Sequence, residues 1–454
     1  MRKLWFIILI VGIIGTILAI NFDNPSYGDQ NQTQLKQSTD NFINSSDRVL
    51  IIAPHPDDEA IGAAGVIRYS VEHKIPVKVV IVTDGDVGDG VATERHNESV
   101  KAMDLLGLNQ SDLIFLGYRD CSLPRLLIEN WDSNTPYDKN GVTTNINYPY
   151  SYQKNVTYSG TNLEQNLEEI IGDFQPTVIL YTDSEDEQID HWATYAFVEY
   201  ATARINYQGA KYTYLVHDPP DWPSPRIYQP EDSLNPPREL TLIGYEWITF
   251  PLNSDQERLK ETAVDTYTSQ INSYSYIQSF IRKNELFGID PVVNSTVSNE
   301  SLDFFSGDQF PPNVVKEPKK NDRGKGSIRT REIAAVGFEM DKNNTWISLR
   351  LDENISSSES YEVHILPLDV ANPGAANSGR IDINIQNGRA NYQKFSDNSF
   401  TSGEPKVQTV DNGLIIEMPT SAFNGVNSFL ISADIEDGTT LLDWTAWREV
   451  KIVR

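Results

Sequence analysis

The residues best suited to chemistry lie in "APHPDDEAIGAAG", residues 53–65, where His55 is followed by Asp57, Asp58 and Glu59 immediately after the apolar run Val49 to Ala53. Acids in a row belong on a solvated face, yet these follow a stretch that reads as a fully buried strand. Two further strand ends carry comparable groups: "DGDVGD" at 84–89, and "YTDSEDEQIDHW" at 181–192, which contains Asp190 and His191. The chain has only six histidines, and His55 and His191 both sit beside acids at such ends. Two imidazoles and one carboxylate around a divalent cation, with a position open to water, form the usual hydrolytic zinc arrangement. In that arrangement His55 and Asp58 supply two ligands from one turn and His191 the third. Asp57 stays free to take a proton from metal-activated water. The competing reading of "HPDDE" is a helix N-terminus whose acids favour the helix dipole.

These groups need elements to position them. From Arg48 onward, near-continuous apolar runs ("RVLIIAP", "VKVVIVTDG", "LIFLGY", "TVILYTD") alternate with amphipathic stretches at 58–73, 92–106, 161–172 and 191–203. This β/α alternation predicts a Rossmann-like, mostly parallel sheet with helices on both faces, in which ligands bind at the carboxyl ends of the strands. The sheet resumes at "LTLIGYEWITF", and residues 255–287 read as one long helix or two. The irregular segment 120–160, with Trp131, Tyr137, Tyr148, Tyr150 and Tyr152, suits a cleft wall. The composition changes after Gly288: 289–329 reads as a linker, and from 330 to 454 a period of two, broken by Asn, Gly, Asp and Ser turns, predicts an all-β sandwich. Trp346, Trp444 and Trp447 in that part offer either a sugar-stacking face or ordinary core.

At the other end, Arg2 and Lys3 precede an uncharged run from Leu4 to Ile20. That pattern predicts a membrane anchor over residues 1–21, with a cleaved signal peptide as the alternative, and the body outside the cytoplasm. Residues 22–47 read as a polar stalk. The 64 acids against 37 bases, a formal charge of −27, argue against nucleic acid as a partner. Cys121 is the only cysteine, so no disulfide forms within the chain.

"APHPDDEAIGAAG" resembles the opening motif of the PIG-L/LmbE-like de-N-acetylases, zinc hydrolases that remove acetyl groups from N-acetylglucosaminyl substrates and related amides. "TDGDVGDGVATERHNESVKAMDLLGL" is similar to the family's T-[DN]-G segment with its R-x-x-E and A-x-x-x-L-G helix, "IFLGYRD" to its F-L-G-x-x-D, and "AVDTYTSQ" and "FIRKNELF" to its closing pieces. The likeness covers about residues 48–287, within an LmbE-like domain placed at 48–288. It implies Zn2+, or another divalent metal, on His55, Asp58 and His191, with Asp57 as general base. It also implies Arg95 and Asp120 as holders of sugar hydroxyls and Asp190 as a support for His191. Where the family reads H-x-D-H, this chain has Gln188-Ile189-Asp190-His191; Gln188 can donate a hydrogen bond but cannot deliver a proton. His217, at the end of another strand, is the candidate replacement. The implied activity is deacetylation of an N-acetylated amino sugar or glycoconjugate. The alternative is a catalytically impaired cell-surface module that binds glycan on the same fold.

Overall fold

The computed structural model describes residues 42–138, 141–144, 148–218, 222–271, 276–307, 309–317, 331–368, 380–396, 399–438 and 440–454. In chain order the first part runs β1 (Val49–Ala53), α1 (Asp58–His73), β2 (Val77–Thr83), α2 (Ala92–Leu106), β3 (Leu113–Tyr118), α3 (Leu123–Ile128), α4 (Gly160–Phe174), β4 (Val178–Thr182), α5 (Ile189–Arg204), β5 (Ala210–Tyr214), α6 (Arg238–Leu242), β6 (Glu246–Pro251), α7 (Ser254–Val264) and β7 (Asn284–Ile289). The sheet order is β3-β2-β1-β4-β5-β7-β6. Its first five strands are mutually parallel, and β7 pairs antiparallel with both β5 and β6. The chain steps outward from β1 to β3, then returns to lay β4 on the other side of β1. That reversal opens a crevice at the carboxyl ends of β1 and β4.

Alternation along β1 divides the core. Val49 and Ile51 face α1, α2 and α7, whereas Leu50 and Ile52 face α3, α4 and α5. Both faces are covered, which is why the strands read as unbroken apolar runs. Two glycines let α1 lie close to its neighbours: a Cβ at Gly62 would come within 2.5 Å of the Tyr214 ring, and one at Gly65 within 2.2 Å of Leu252.

The helix expected over 255–287 ends at Val264, and its closing piece is strand β7. Tertiary partners override the local preference there: β7 pairs with β6 along its length, Leu286 and Phe287 are buried, and the Asn284 side chain bonds both the amide and the carbonyl of Leu234.

The second part contains β8 (Val293–Thr296), β9 (Asn313–Lys316), β10 (Ile333–Met340), β11 (Asn344–Leu351), β12 (Ser360–Pro367), β13 (Ile381–Gln386), β14 (Arg389–Ser396), β15 (Ser399–Gly403), β16 (Lys406–Val410), β17 (Gly413–Pro419), β18 (Ser428–Asp437), β19 (Thr440–Trp444) and β20 (Arg448–Val453). One sheet is ordered β16-β17-β11-β10-β9 and the other β15-β14-β13-β12-β18-β20-β8, with β19 beside β18. Their facing apolar residues make a third core. All pairings are antiparallel except β8 with β20. Strands β8 and β9 come from the stretch read as linker; each finishes a sheet edge. Leu366, Leu368, Leu430, Trp444 and Trp447 join the α3–α5 core, so the sandwich and the α/β part share apolar surface. Trp346 is buried elsewhere and donates to Glu417.

The membrane expectation is corrected. The run Leu4 to Ile20 lies outside the described residues, and among these no helix is long and apolar enough to cross a membrane. The two longest described helices, α1 and α5, have 16 residues each, about 24 Å at a 1.5 Å rise against a hydrocarbon core of about 30 Å. The expected anchor, and the extracytoplasmic location drawn from it, are corrected on this ground.

Candidate active site

Each strand end at the crevice delivers one segment. The turn after β1 carries His55, Asp57 and Asp58; the loop after β4 carries Asp186 and Gln188, with Asp190 and His191 in the first turn of α5. The Asp58 Oδ2 atom lies 3.2 Å from His55 Nδ1 and 3.1 Å from His191 Nε2, and those two nitrogens are 3.1 Å apart. The result is a nearly equilateral triangle of ligand atoms from residues 136 positions apart. Bonds of about 2.0–2.1 Å in a tetrahedral zinc site separate neighbouring ligand atoms by about 3.3 Å. The donor set and its spacing therefore fit a divalent cation. Charge fits too, because Asp57, Asp58, Asp120, Asp186 and Asp190 are all buried around these two histidines.

The supporting shell is explicit. Asp190 Oδ2 is 3.2 Å from His55 Nε2, and its two oxygens accept from the amides of Cys121 (2.6 Å) and Leu123 (3.0 Å). Asp190 thus orients His55 rather than its chain neighbour His191. His191 is oriented by Asp186, whose Oδ2 lies 3.0 Å from His191 Nδ1 and accepts from the Val216 and His217 amides. Asp186 Oδ1 is 3.1 Å from His217 Nδ1. Burial opposes ionisation of Asp186, yet His191 and His217 hold it well below the usual carboxylate range. Against the same burial, Asp186 and Asp58 lift His191 to about 9. Sequence reasoning missed Asp186: its only signal is its place five residues before His191, shared with Asp183, Glu185 and Glu187 in the same acidic loop.

Asp57 stands outside the triangle. Its φ of 131° is a conformation that non-glycine residues rarely adopt, of a kind that persists where surrounding contacts over-determine it. Here the Asp57 amide donates to Glu59 (3.0 Å), Glu59 is held by the Tyr267 hydroxyl, and the Asp57 carboxylate pairs with Arg95 at 3.2 Å. Glu59 is thereby a buried clamp on the turn. Burial pushes the Asp57 carboxyl up to about 7, against the pull of Arg95.

Arg95 donates to the carbonyls of Gly85 (2.8 Å) and Pro56 (2.6 Å), and its Nη1 lies 4.0 Å from Asp120. Gly85, at φ +65°, leaves room that a Cβ would fill within 2.6 Å of this guanidinium. Asp120 Oδ1 lies 3.6 Å from His55 Nε2. Gln188 caps α5: its Oε1 accepts from the amides of Asp190 (2.5 Å) and His191 (3.2 Å), while its Nε2 faces His55 Nε2 at 3.2 Å. His217 is partly exposed, with its ring 4.7 Å from that of His191.

All these groups surround a cleft of about 260 Å³ lined by His55, Asp57, Asp58, Arg95, Asp120, Gln188 and His217, with Gln270 and Tyr276 on its rim. The five aromatics expected as a wall do not line it. Trp131 packs on Phe197 and Tyr200, Tyr137 on Tyr158, Tyr150 stacks on His96 and Tyr148 on Tyr150, and Tyr152 is exposed. Trp222 is buried and donates to Leu215. The pair Arg95 and Glu98 also separates in role: Glu98 accepts from Thr268 and from the Ser269 amide and hydroxyl, fastening the "TYTSQ" segment to α2.

The open α/β sheet thus carries at its switch point a two-histidine, one-aspartate cluster able to hold a divalent cation. Residues 50–202 match the family described as PIG-L: GlcNAc-PI de-N-acetylase. His217 falls beyond the matched stretch. Among curated proteins the chain is similar to a probable N-acetyl-alpha-D-glucosaminyl L-malate deacetylase 2 of Bacillus anthracis, 34% identical over 86 residues, covering 16% of this chain and 37% of the relative. It is similar as well to a diacetylchitobiose deacetylase of Thermococcus kodakarensis, 35% identical over 90 residues, covering 18% and 33%. The chain thus spans little more than a third of the length of these relatives. Among solved structures, N,N'-diacetylchitobiose deacetylase from Pyrococcus horikoshii aligns with 18% identity and a TM-score of 0.34, covering 53% of this chain and 82% of that one.

Proposed function

We propose that the chain is a metal-dependent N-deacetylase, with zinc or another divalent cation held by His55, Asp58 and His191, that hydrolyses the acetamide of an N-acetylated amino sugar or glycoconjugate. The observation that carries this reading is the ligand triangle with Asp57 beside it and uncommitted to it. A bound divalent cation supplies Lewis acidity toward the amide carbonyl and acidifies a water to near neutrality. Asp57, at about 7, is poised near the same pH. Its carboxylate accepts the proton as the water oxygen bonds to the carbonyl carbon. The C–N bond then breaks as the amine nitrogen takes a proton, and acetate and the amino sugar leave. His217, across the cleft and tied to Asp186, is placed to donate to the developing oxyanion or to the amine; Gln188 serves the helix cap and His55 instead. Arg95 fixes Asp57, and Asp120 offers an oxygen to a sugar hydroxyl. A module that only bound glycan would need no strained, buried carboxylate next to the triangle, so the glycan-binding alternative gains nothing from this geometry.

The test pairs metal analysis with amine release from a panel of free, oligomeric and lipid-linked N-acetylglucosamine substrates. Asp57→Asn is expected to retain the metal and lose about 10²–10⁴ in turnover. Undiminished release by that variant removes Asp57 from the mechanism. A metal-loaded wild type inert toward the whole panel sinks the activity.

A further inference from the structure

The turn that follows α7 is tied to the rest of the α/β part by successive side chains. Tyr267 donates its hydroxyl to the buried Glu59 and lies 3.3 Å from Ser99 Oγ. Thr268 and Ser269 both meet Glu98, a buried carboxylate on α2 three residues after Arg95. Glu98 Oε1 accepts from the Thr268 hydroxyl at 2.9 Å and from the Ser269 amide at 2.8 Å, and its Oε2 accepts from the Ser269 hydroxyl at 2.6 Å. Of residues 267–270, Gln270 alone lines the catalytic cleft.

Hydrogen-bond direction along this turn fixes which end of Gln270 the cleft meets. A hydroxyl carries one proton and a carboxylate only accepts. The Ser269 proton therefore goes to Glu98, and Ser269 Oγ can only accept from Gln270, 3.0 Å away. The atom facing it is thus the amide nitrogen; the reversed amide sets two acceptors against each other. With Nε2 tied back, Oε1 is the acceptor left over, and no donor among the described residues meets it. Gln270 is partly exposed at the cleft. The Thr268 and Ser269 contacts already fasten the turn to α2, so that join does not need the Gln270 side chain.

We propose that Gln270 is a specificity-determining residue whose Oε1 accepts from a ring hydroxyl of the amino sugar, a different hydroxyl from the one at Asp120, with Ser269 and Glu98 as positioning residues that hold the amide in this orientation. The inference rests on the deacetylase reading and deepens it. The cleft then selects a sugar by two acceptors from separate elements, Asp120 after β3 and Gln270 after α7. A site with a buried acceptor discriminates against an analogue that lacks the matching hydroxyl, because the acceptor is left unpaired.

The experiment uses the full chain loaded with zinc. It measures calorimetric binding of N-acetylglucosamine, and amine release from that sugar and from its singly deoxygenated forms at carbons three, four and six. In the wild type one deoxy sugar is expected to lose about tenfold in kcat/KM. Gln270→Met keeps the side-chain length without an acceptor: the parent sugar is expected to lose about tenfold, in KM rather than kcat, and that same deoxy sugar nothing more. Asp120→Ala should still discriminate against it. Ser269→Ala and Glu98→Gln release the amide to turn and are expected to lose about threefold in KM. Zinc content matching the wild type in Gln270→Met and Ser269→Ala separates lost recognition from a disturbed fold. Equal deoxy penalties in wild type and Gln270→Met overturn the proposal, and so does an unchanged KM and affinity in that variant. Binding requires no turnover, so the two readings fail separately. Weaker binding by Gln270→Met, with no amine release by the wild type, keeps the acceptor and sinks the activity; amine release with unchanged penalties keeps the activity and sinks the acceptor.

Discussion

A single carboxylate, Asp186, holds two imidazoles and the backbone amides of Gln188, Val216 and His217 at once. Its negative charge raises the basicity of His191, and its position fixes which His191 nitrogen faces the triangle. Partners of this kind commonly matter to metal affinity by about 10–100-fold. Asp186→Asn keeps the shape but removes the charge, and is expected to weaken metal binding by about that range, read by competition with a chelator. Unchanged metal affinity in a folded Asp186→Asn protein would mean that the His191 ring is held by its burial alone. Asp190, one residue before His191, acts instead on His55, because the first turn of α5 points the two side chains in different directions.

Among the elements, α1 is the one most shaped by the site. It starts at the strained Asp57 and kinks at Ala63, where φ is −143°. The amides of Gly65 and Val66, released by that kink, donate to the two oxygens of Glu285 at 2.7 and 3.1 Å. Lys260 completes the arrangement, 2.8 Å from Glu285 and 2.8 Å from the Ile61 carbonyl, with its side chain 1% exposed. Glu285 therefore replaces part of a helical hydrogen-bond ladder from a strand that lies elsewhere in the chain. Lys260→Met leaves that carboxylate buried without its cation and is expected to cost about 3–5 kcal/mol in chemical denaturation. A loss under about 0.5 kcal/mol, the scale of an ordinary surface change, would show that the two amides suffice for Glu285.

Across the whole molecule, the two parts are joined by charge as well as by apolar surface. Asp183 and Glu185 are buried in the loop after β4, with the half-buried Asp290 beside them; burial and Asp290 push Asp183 up to about 8. The counter-charge comes from the last strand of the sandwich: Arg448 is 2.6 Å from Glu185 and donates to the Tyr245 hydroxyl at 3.1 Å. Arg448→Met is expected to destabilise the whole chain by about 3–5 kcal/mol in one cooperative transition, with much of the loss recovered in Glu185→Met/Arg448→Met. Two separate unfolding transitions in the wild type, with Arg448→Met shifting only one, would argue against this coupling.

Local patterns in the chain were sufficient for the strands β1 to β4, for α1, α2 and α4 among the helices between them, though not for the short α3 inside the segment read as irregular, and for the period-two strands of the second part, because burial on both faces or on one face leaves a direct mark on residue order. They were sufficient as well for bringing His55, Asp58 and His191 to one rim, since parallel strands place all their carboxyl ends on the same edge. They did not reveal that β7 is a strand, that β8 and β9 finish the sandwich sheets, or that Tyr148 and Trp131 pack away from the cleft; those outcomes depend on pairing partners and neighbours distant along the chain. Nor could they choose Asp186 among four acids in one loop, or set Asp190 against His55. Composition and periodicity report how much surface an element buries. Which carboxylate meets which imidazole is decided only when separate segments converge within hydrogen-bonding distance, and that convergence belongs to the tertiary fold.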